Sequence, residues 1–245
     1  MNTIQANSYN ELQKLLAKKV TKLFLFVAVA LPVLTKLLVN KLFIIDWMAL
    51  PAENINLTLL DLFVSLLLPL FIFIAATDLF TGEGERGTLF QVRPISRIEL
   101  FLSKLLSIGG LVLVQLLLVW LFMLISSALF DKTFDFVAIA SSLGAYLVSW
   151  VPLMVIVALA VLIALVINSS VLAISGMIVL YLAMVFIPYM VPNILYMLPT
   201  AYLDWYMHWL GDVSFRWIIQ TVTYLCSAVV LFLSAGYYMF NRKEA

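Results

Sequence analysis

Long apolar runs separated by short polar gaps are the dominant pattern of this chain. A helix that crosses a membrane needs about 20 mostly apolar residues. Six runs meet that requirement: residues 20–41, 58–77, 105–130, 136–167, 171–191 and 217–240. Lys22 and Lys36 interrupt the first run on either side of Pro32, so their charged ends have to reach the membrane surface. The fourth run is too long for one upright span, so we expect a tilted helix bent near Pro152.

The composition identifies the solvent that surrounds these runs. Of the 245 residues, 65% are hydrophobic and 11% are charged, and the mean hydropathy is +1.13. Soluble domains contain roughly 45–50% apolar and about 25% charged residues. The sequence therefore predicts an all-α integral membrane protein with one transmembrane domain over residues 1–245. A net charge of +1 excludes nucleic acid as an electrostatic partner, and the single cysteine, Cys226, has no partner for an internal disulfide or a metal site.

Basic residues are distributed unequally between the two sides of the six predicted spans. Ten lie on the side of the N-terminus and four lie on the other side. Because cytoplasmic loops are enriched in Lys and Arg, we expect both termini in the cytoplasm. The inner set is Lys14, Lys18, Lys19, Lys22, Arg86, Arg93, Arg97, Lys104, Arg242 and Lys243, and the outer set is Lys36, Lys41, Lys132 and Arg216.

The segment before the first span, residues 8–19, has the pattern of an amphipathic interfacial helix. Ser8 and Glu11 have the spacing of a capping box, which predicts a helix that begins near Ser8. The apolar stripe is Leu12, Leu15, Leu16, Val20 and Leu23, and the basic face is Lys14, Lys18 and Lys22. We expect the stripe among the acyl chains of the inner leaflet and the lysines among anionic headgroups of membrane lipids. The alternative is an ordinary basic flank that only fixes the orientation.

The gap between the second and third spans, residues 78–104, is the most highly charged part of the chain. It carries eight of the 27 charged residues, together with glycines that favour tight bends at positions 82, 84 and 87. Pro94 ends any preceding helix, and Ser96 with Glu99 has the spacing of a second capping box. We therefore expect the third helix to begin near Ser96, outside the membrane, after a short amphipathic element at residues 88–92. The alternative is a solvated loop that only connects two spans.

The motif residues of this loop are Glu83, Glu85, Arg86, Gly87, Thr88, Leu89, Arg93, Pro94, Ile95, Ser96, Arg97, Glu99, Leu100 and Lys104. The run resembles the first cytoplasmic loop of permeases of type-2 ATP-binding-cassette (ABC) exporters. In that family a glutamate and Gly-Thr-Leu lead into Pro-Ile-Ser-Arg and a lysine that opens the next span. Six spans, a preceding amphipathic helix and a short charged C-terminal end are similar as well. The chain departs from the family pattern at Gly84, inside the acidic pair, and in a short Gln91-Val92 spacer.

The resemblance implies a transport subunit that is not itself an enzyme. Residues 78–104 would be a coupling loop that docks on a separate cytosolic ATPase, present in two copies, which binds ATP and Mg. The residues assigned to this coupling are Glu83, Glu85, Arg86, Gly87, Thr88, Leu89, Arg93, Pro94, Arg97 and Lys104. The sequence itself contains no G-x-x-x-x-G-K-[ST] phosphate loop, so the motor has to lie in another chain.

Assembly, location and cargo follow from the same resemblance. A second permease copy would enclose the pathway, as a homodimer or, alternatively, as a heterodimer with a different permease. The implied location is the plasma membrane of a bacterium. Antimicrobial peptides, lipids and drugs are compatible cargo for such an exporter.

The segment 188–216, between the fifth and sixth spans, is rich in aromatic residues and is broken by three prolines. Aromatic rings gather at membrane surfaces, so a re-entrant or interfacial hairpin on the outer face is one interpretation and a simple aromatic belt is the other. Asp61, near the outer end of the second span, is a candidate pathway residue or an interfacial carboxylate. For His208, the single histidine, a headgroup or hydrogen-bonding role is favoured over catalysis or metal binding.

Two other function classes remain open on the sequence. A secondary transporter usually has charged residues deep in its spans and internal repeats, whereas this chain offers Asp61 and no visible repeat. A membrane scaffold that transports nothing would not need a structured loop.

Overall fold

The computed structural model describes residues 3–41, 55–81, 96–130, 137, 140, 142–209 and 215–243. All regular elements in these residues are helical. The α-helices are α1 (Thr3–Ala17), α2 (Lys19–Lys41), α3 (Ile55–Leu62), α4 (Leu68–Phe80), α5 (Arg97–Phe130), α6 (Leu143–Val166), α7 (Ser170–Met190), α8 (Tyr206–Trp209) and α9 (Phe215–Lys243). A π-helical turn (Phe63–Leu67) joins α3 to α4, and two 3₁₀ segments (Pro192–Met197 and Pro199–Tyr202) follow α7.

Six of these helical stretches are long and apolar enough to cross a membrane, so the predicted number of spans is confirmed. Their bounds are Lys19–Leu38, Asn56–Phe80, Arg97–Phe130, Leu143–Val166, Ser170–Met190 and Arg216–Arg242. The protein is therefore an all-helical, multi-pass membrane protein. The third span begins at Arg97, and its predicted capping box is confirmed: the Glu99 N–H donates to Ser96 Oγ at 3.4 Å, and the Ser96 N–H donates to Glu99 Oε2 at 3.3 Å.

The predicted start of the first helix is wrong, because α1 begins at Thr3 and not near Ser8. Ser8 and Glu11 lie inside the helix, where Lys14 Nζ donates to Glu11 Oε1 at 2.6 Å instead of a capping box. Part of the predicted apolar stripe packs on the helical bundle: Leu15 is 1% exposed, and Leu12 and Leu16 pack against the protein core. The other two stripe residues, Val20 and Leu23, are 38% and 57% exposed. Helix α1 packs along α5.

Of the predicted fourth span, residues 136–167, the structure describes residues 137, 140 and 142–167. Residues 137 and 140 are helical, and helix α6 runs from Leu143 through Pro152 to Val166. At the beginning of α6 the Ser142 carbonyl accepts from the Ala145 N–H at 2.9 Å. A tight turn joins the fourth and fifth spans, since α6 ends at Val166 and α7 begins at Ser170.

The second span forms the centre of the bundle. In its most apolar window 61% of the residues are buried, against 11% in the last span, which lies at the periphery. Helix α4 packs on α6 and α7, and α5 packs on α1, α2 and α6. A proline explains the π-helical turn in this span. Pro69 has no N–H to offer the Ser65 carbonyl and its ring crowds that carbonyl, so the helix widens and the Leu68 N–H bonds to Phe63 O.

Candidate functional site

The end of the bundle where α4 ends and α5 begins contains the candidate site. Residues 78–81 and 96–104, which we call the loop root, are the two chain segments from which the predicted coupling segment extends. Each of the two segments is bonded to helices other than its own. We call this end of the bundle the loop end.

The incoming segment of the loop root is held by two polar contacts. Lys18, at the bend between α1 and α2, places its Nζ 3.1 Å from Asp78 Oδ1 in a partly exposed ion pair. Thr81 is buried, and its hydroxyl donates to the Ala164 carbonyl near the end of α6 at 3.1 Å. The last residues of the second span are thereby fixed to the start of the first span and to the end of the fourth.

Lys104 is the most unusual residue of the loop root, because its side chain is charged yet the residue is 1% exposed. Its Nζ donates to the Leu79 carbonyl at 2.8 Å. Leu79 is in the last turn of α4, where carbonyls lack intrahelical donors and carry partial negative charge. The ammonium therefore satisfies an orphan acceptor and is itself stabilised by the helix terminus.

Aromatic rings lie beside this ammonium group. Lys104 Nζ lies 5.3 Å from the centroid of the Phe80 ring and 5.8 Å from that of Phe240, within the range of cation–π attraction. Phe101 completes the cluster, with ring centroids 5.7 Å from Phe80 and 5.6 Å from Phe240. Three rings from α4, α5 and α9 thus exclude water around one buried cation.

The outgoing segment of the loop root is held by the last span and by α1. Arg97 Nη1 donates to the Asn241 carbonyl at 2.9 Å and to Asn241 Oδ1 at 3.1 Å. On another face of α5, the Ser103 hydroxyl donates to Glu99 O at 2.6 Å and lies 3.4 Å from Ile4 O. The Ser107 hydroxyl lies 2.7 Å from Ser103 O and 2.9 Å from Ser8 O in α1. Helix α5 is therefore joined to both terminal helices within its first three turns.

Two of the ten residues assigned to coupling, Arg97 and Lys104, lie in the part of the chain that the structure describes. The other eight, Glu83, Glu85, Arg86, Gly87, Thr88, Leu89, Arg93 and Pro94, and the predicted element at residues 88–92, lie outside it. Within the subunit Lys104 is 1% exposed. Sequence reasoning did not identify Phe240 and Asn241 as site residues. No local pattern could have identified them, since the contact of Asn241 with Arg97 joins residues 144 positions apart.

The opposite end of the bundle contains the other candidates. Asp61 is half-buried in α3, one turn before Ser65, whose hydroxyl donates to the Asp61 carbonyl at 2.6 Å. The α8 residue Tyr206 is fully buried and donates to Leu57 O at 3.4 Å. Burial, and then the carboxylates of Asp61 and Asp204, raise the pKa of the Tyr206 phenol, so the hydroxyl stays protonated as a donor. The His208 side chain lies outside the described residues.

Three prolines at this end free a backbone carbonyl four residues earlier, and each freed carbonyl accepts from a side chain of another element. Tyr181 bonds to Ser65 O, below Pro69. Trp205 Nε1 bonds to Val148 O at 2.9 Å, below Pro152, and Thr200 Oγ1 to Met184 O at 3.1 Å, below Pro188. An unsatisfied carbonyl in hydrocarbon costs several kcal/mol. Tyr181 therefore fixes α7 on the second span, and Trp205 and Thr200 fix the segment after α7 on α6 and α7.

Comparison with known protein families gives the class of protein. The family model described as ABC-2 family transporter protein matches residues 2–245. The chain belongs to this family. It is therefore a permease, the membrane component of an ABC-type transporter, and such components generally pair with an ABC ATPase. No curated protein matches the chain. For this permease the loop root is the part of the molecule that adjoins the segment predicted to meet the ATPase.

Proposed function

We propose that this permease is the membrane subunit of an ABC exporter and that residues 82–95 dock on a cytosolic ATPase. The ATPase binds ATP and Mg, and both termini of the permease lie on the same, cytoplasmic side of a bacterial plasma membrane. Two permease copies and two ATPase copies make up the transporter. Antimicrobial peptides, lipids or drugs are the proposed cargo.

The loop root is the observation that carries this proposal. A loop that only connected two spans would need no contacts beyond those of its own two helices. Here Asp78 is bonded to Lys18 at the bend between α1 and α2, Thr81 to α6, and Arg97 to α9. A force applied to residues 82–95 would therefore be transmitted to most of the bundle. This is the mechanical property that an ATP-driven permease requires.

The proposed motion is a tilt of packed helices. Helix α5 is 34 residues long, and its first turns carry Arg97 and Lys104. Shifts of a docked element by about 1–2 Å are amplified when they move packed helices as rigid bodies. Asp61 is proposed as a pathway residue because it is half-buried in the central span.

Charge reversal in the proposed docking segment tests this function. We expect Glu85→Arg combined with Arg86→Glu, or Gly87→Val alone, to leave membrane insertion near normal and to abolish transport. Each docking contact that places like charges at a partly desolvated interface costs several kcal/mol. The measurements are recovery of the cognate ATPase on pull-down and ATP-dependent transport in proteoliposomes.

Charge changes on the other side of the membrane are the matched control. Lys132→Gln with Asp135→Asn removes one charge of each sign and should change neither ATPase recovery nor transport. Loop variants that still recruit the ATPase and still transport would reduce residues 82–95 to a connector. Transport that runs on an ion gradient with no ATPase present would instead indicate a secondary transporter.

A further inference from the structure

We propose that the end of the last span is part of the coupling element. Phe240 and Asn241, with Lys104 and Arg97, form a clasp that makes α4, α5 and α9 move as one body at the loop end. The inference rests on the proposed function of the adjoining segment. It adds a second place on the chain, at the opposite end of the sequence, through which the ATPase-driven movement passes.

Two separate sets of contacts support the clasp. Phe240 is 3% exposed and contacts the ring of Phe80 at the end of α4 and that of Phe101 in α5, with centroids 6.1 and 5.6 Å apart. One residue later, Asn241 accepts from Arg97 through its backbone carbonyl and its side chain. Adjacent residues of α9 thus bind the last turn of α4 and the first turn of α5.

The chemistry of Lys104 explains why these contacts act together. A buried ammonium is costly unless hydrogen bonds and neighbouring groups replace its water shell. Leu79 O supplies a hydrogen bond, and Phe80 and Phe240 supply ring faces. Withdrawal of α9 would remove the Phe240 ring from the cation, and withdrawal of α4 would remove the Leu79 carbonyl. Separation of either helix from α5 would therefore leave the Lys104 ammonium less well stabilised.

The last span packs along α6, and its contacts with α4 and α5 are few. Its apolar window is 11% buried, and many of its side chains face the surroundings of the subunit. Most of its packing is therefore with the fourth span, and little of it is directly with the second and third spans. The clasp supplies a specific connection at the end of the bundle where the proposed force is applied.

The first test uses the isolated permease and does not depend on the ATPase. A double-mutant cycle of Lys104→Met and Phe240→Leu compares unfolding of the four proteins in detergent. Phe240→Leu should destabilise the Lys104 protein and have a clearly smaller effect in the Lys104→Met protein, because the ring then covers no charge. Equal effects in the two backgrounds would overturn the clasp.

The second test uses the complete complex in proteoliposomes. Phe240→Leu and Asn241→Leu should each lower transport about tenfold, while ATPase recovery on pull-down stays within about twofold of the wild type. Phe240→Trp and Asn241→Asp keep a ring and an acceptor and should restore transport. If Phe240→Trp and Asn241→Asp fail to restore transport, the loss in the Leu variants comes from lower stability. The clasp would then be only a packing contact.

The matched control is Tyr238→Leu on the same turn of α9. Tyr238 is 56% exposed, and its ring lies 4.8 Å from the Arg242 guanidinium carbon, so the change removes a cation–π pair outside the loop root. Transport should stay normal in this variant. If the wild-type permease recruits no ATPase, the proposed function is overturned. The double-mutant cycle in detergent would still decide whether the clasp exists.

Discussion

Backbone carbonyls without an intrahelical donor occur at both ends of the bundle, and different chemistry satisfies them at each end. At the loop end, the Leu79 carbonyl in the last turn of α4 is satisfied by the buried charge of Lys104. At the opposite end, the carbonyls freed by prolines are satisfied by neutral donors from Tyr181, Trp205 and Thr200. A neutral hydrogen bond contributes about 0.5–1.5 kcal/mol, and its loss is local. A buried charge depends on all of its neighbours at once.

The contacts at the two ends should therefore differ in cooperativity. The loop end should behave as one unit, since removing any group around Lys104 leaves a poorly solvated cation. The opposite end should behave as a set of separate bonds, each with its own proline and its own donor.

Loss of an aromatic ring at the loop end should have the largest effect. Phe101 is 2% exposed and contacts the rings of Phe80, Phe240 and Tyr237. We expect Phe101→Ala to lower the free energy of unfolding by about 3–5 kcal/mol, because it leaves a cavity beside a buried cation. Thermal unfolding of the purified subunit measures the loss. Phe186→Ala, at a residue 62% exposed, should have little effect, and similar losses in both variants would contradict a special role for this cluster.

Removal of the Trp205 donor should have a smaller and separable effect. Trp205→Phe leaves the Val148 carbonyl without its indole donor, for a loss of about 1–3 kcal/mol. Pro152→Ala returns a backbone N–H to that carbonyl, so the same change should cost less in the Pro152→Ala background. Unfolding of the two single variants and the double variant in detergent gives the comparison. An undiminished loss in the double variant would show that Trp205 acts through packing alone.

The hydroxyl of Tyr181 offers the same test inside the central span. Tyr181→Phe removes the donor to Ser65 O, and we expect a loss of about 1 kcal/mol in unfolding free energy. Pro69→Ala should reduce this loss by allowing a regular α-helical bond and should shorten the π-helical turn. A structure of the Pro69→Ala variant that keeps the full turn would show that the proline is not its cause.

The exposed ion pair of the loop root should contribute least. Lys18→Gln removes the partner of Asp78, and we expect at most about 1 kcal/mol at low salt and less at high salt. Unfolding at two salt concentrations measures the difference, with Lys19→Gln as a control for the loss of one charge. If Lys18→Gln lowers the unfolding free energy by more than Trp205→Phe does, and equally at both salt concentrations, the pair contributes like a buried contact and this expectation is wrong.

The start of the third span could be predicted, because it depends on residues that are close together in the sequence. The Ser96 and Glu99 capping box depends on two residues three positions apart, and the structure has both of its hydrogen bonds. The same rule failed at Ser8 and Glu11, because a helix that packs on α5 along its length can extend beyond a local start signal. Phe240 and Asn241 could not be found this way, since Arg97 lies 144 residues from Asn241.

The sequence by itself determined the membrane environment, the six spans and the positions at which helices lose a backbone donor. Hydropathy acts over about 20 consecutive residues, and a proline removes its N–H whatever surrounds it. Only the tertiary structure decided which side chains replace those donors. Tyr181 is 116 residues from Ser65 and Trp205 is 57 from Val148, and nothing in the local pattern pairs them. The hydrocarbon interior requires that each freed carbonyl find a donor, and packing decides which donor is within reach.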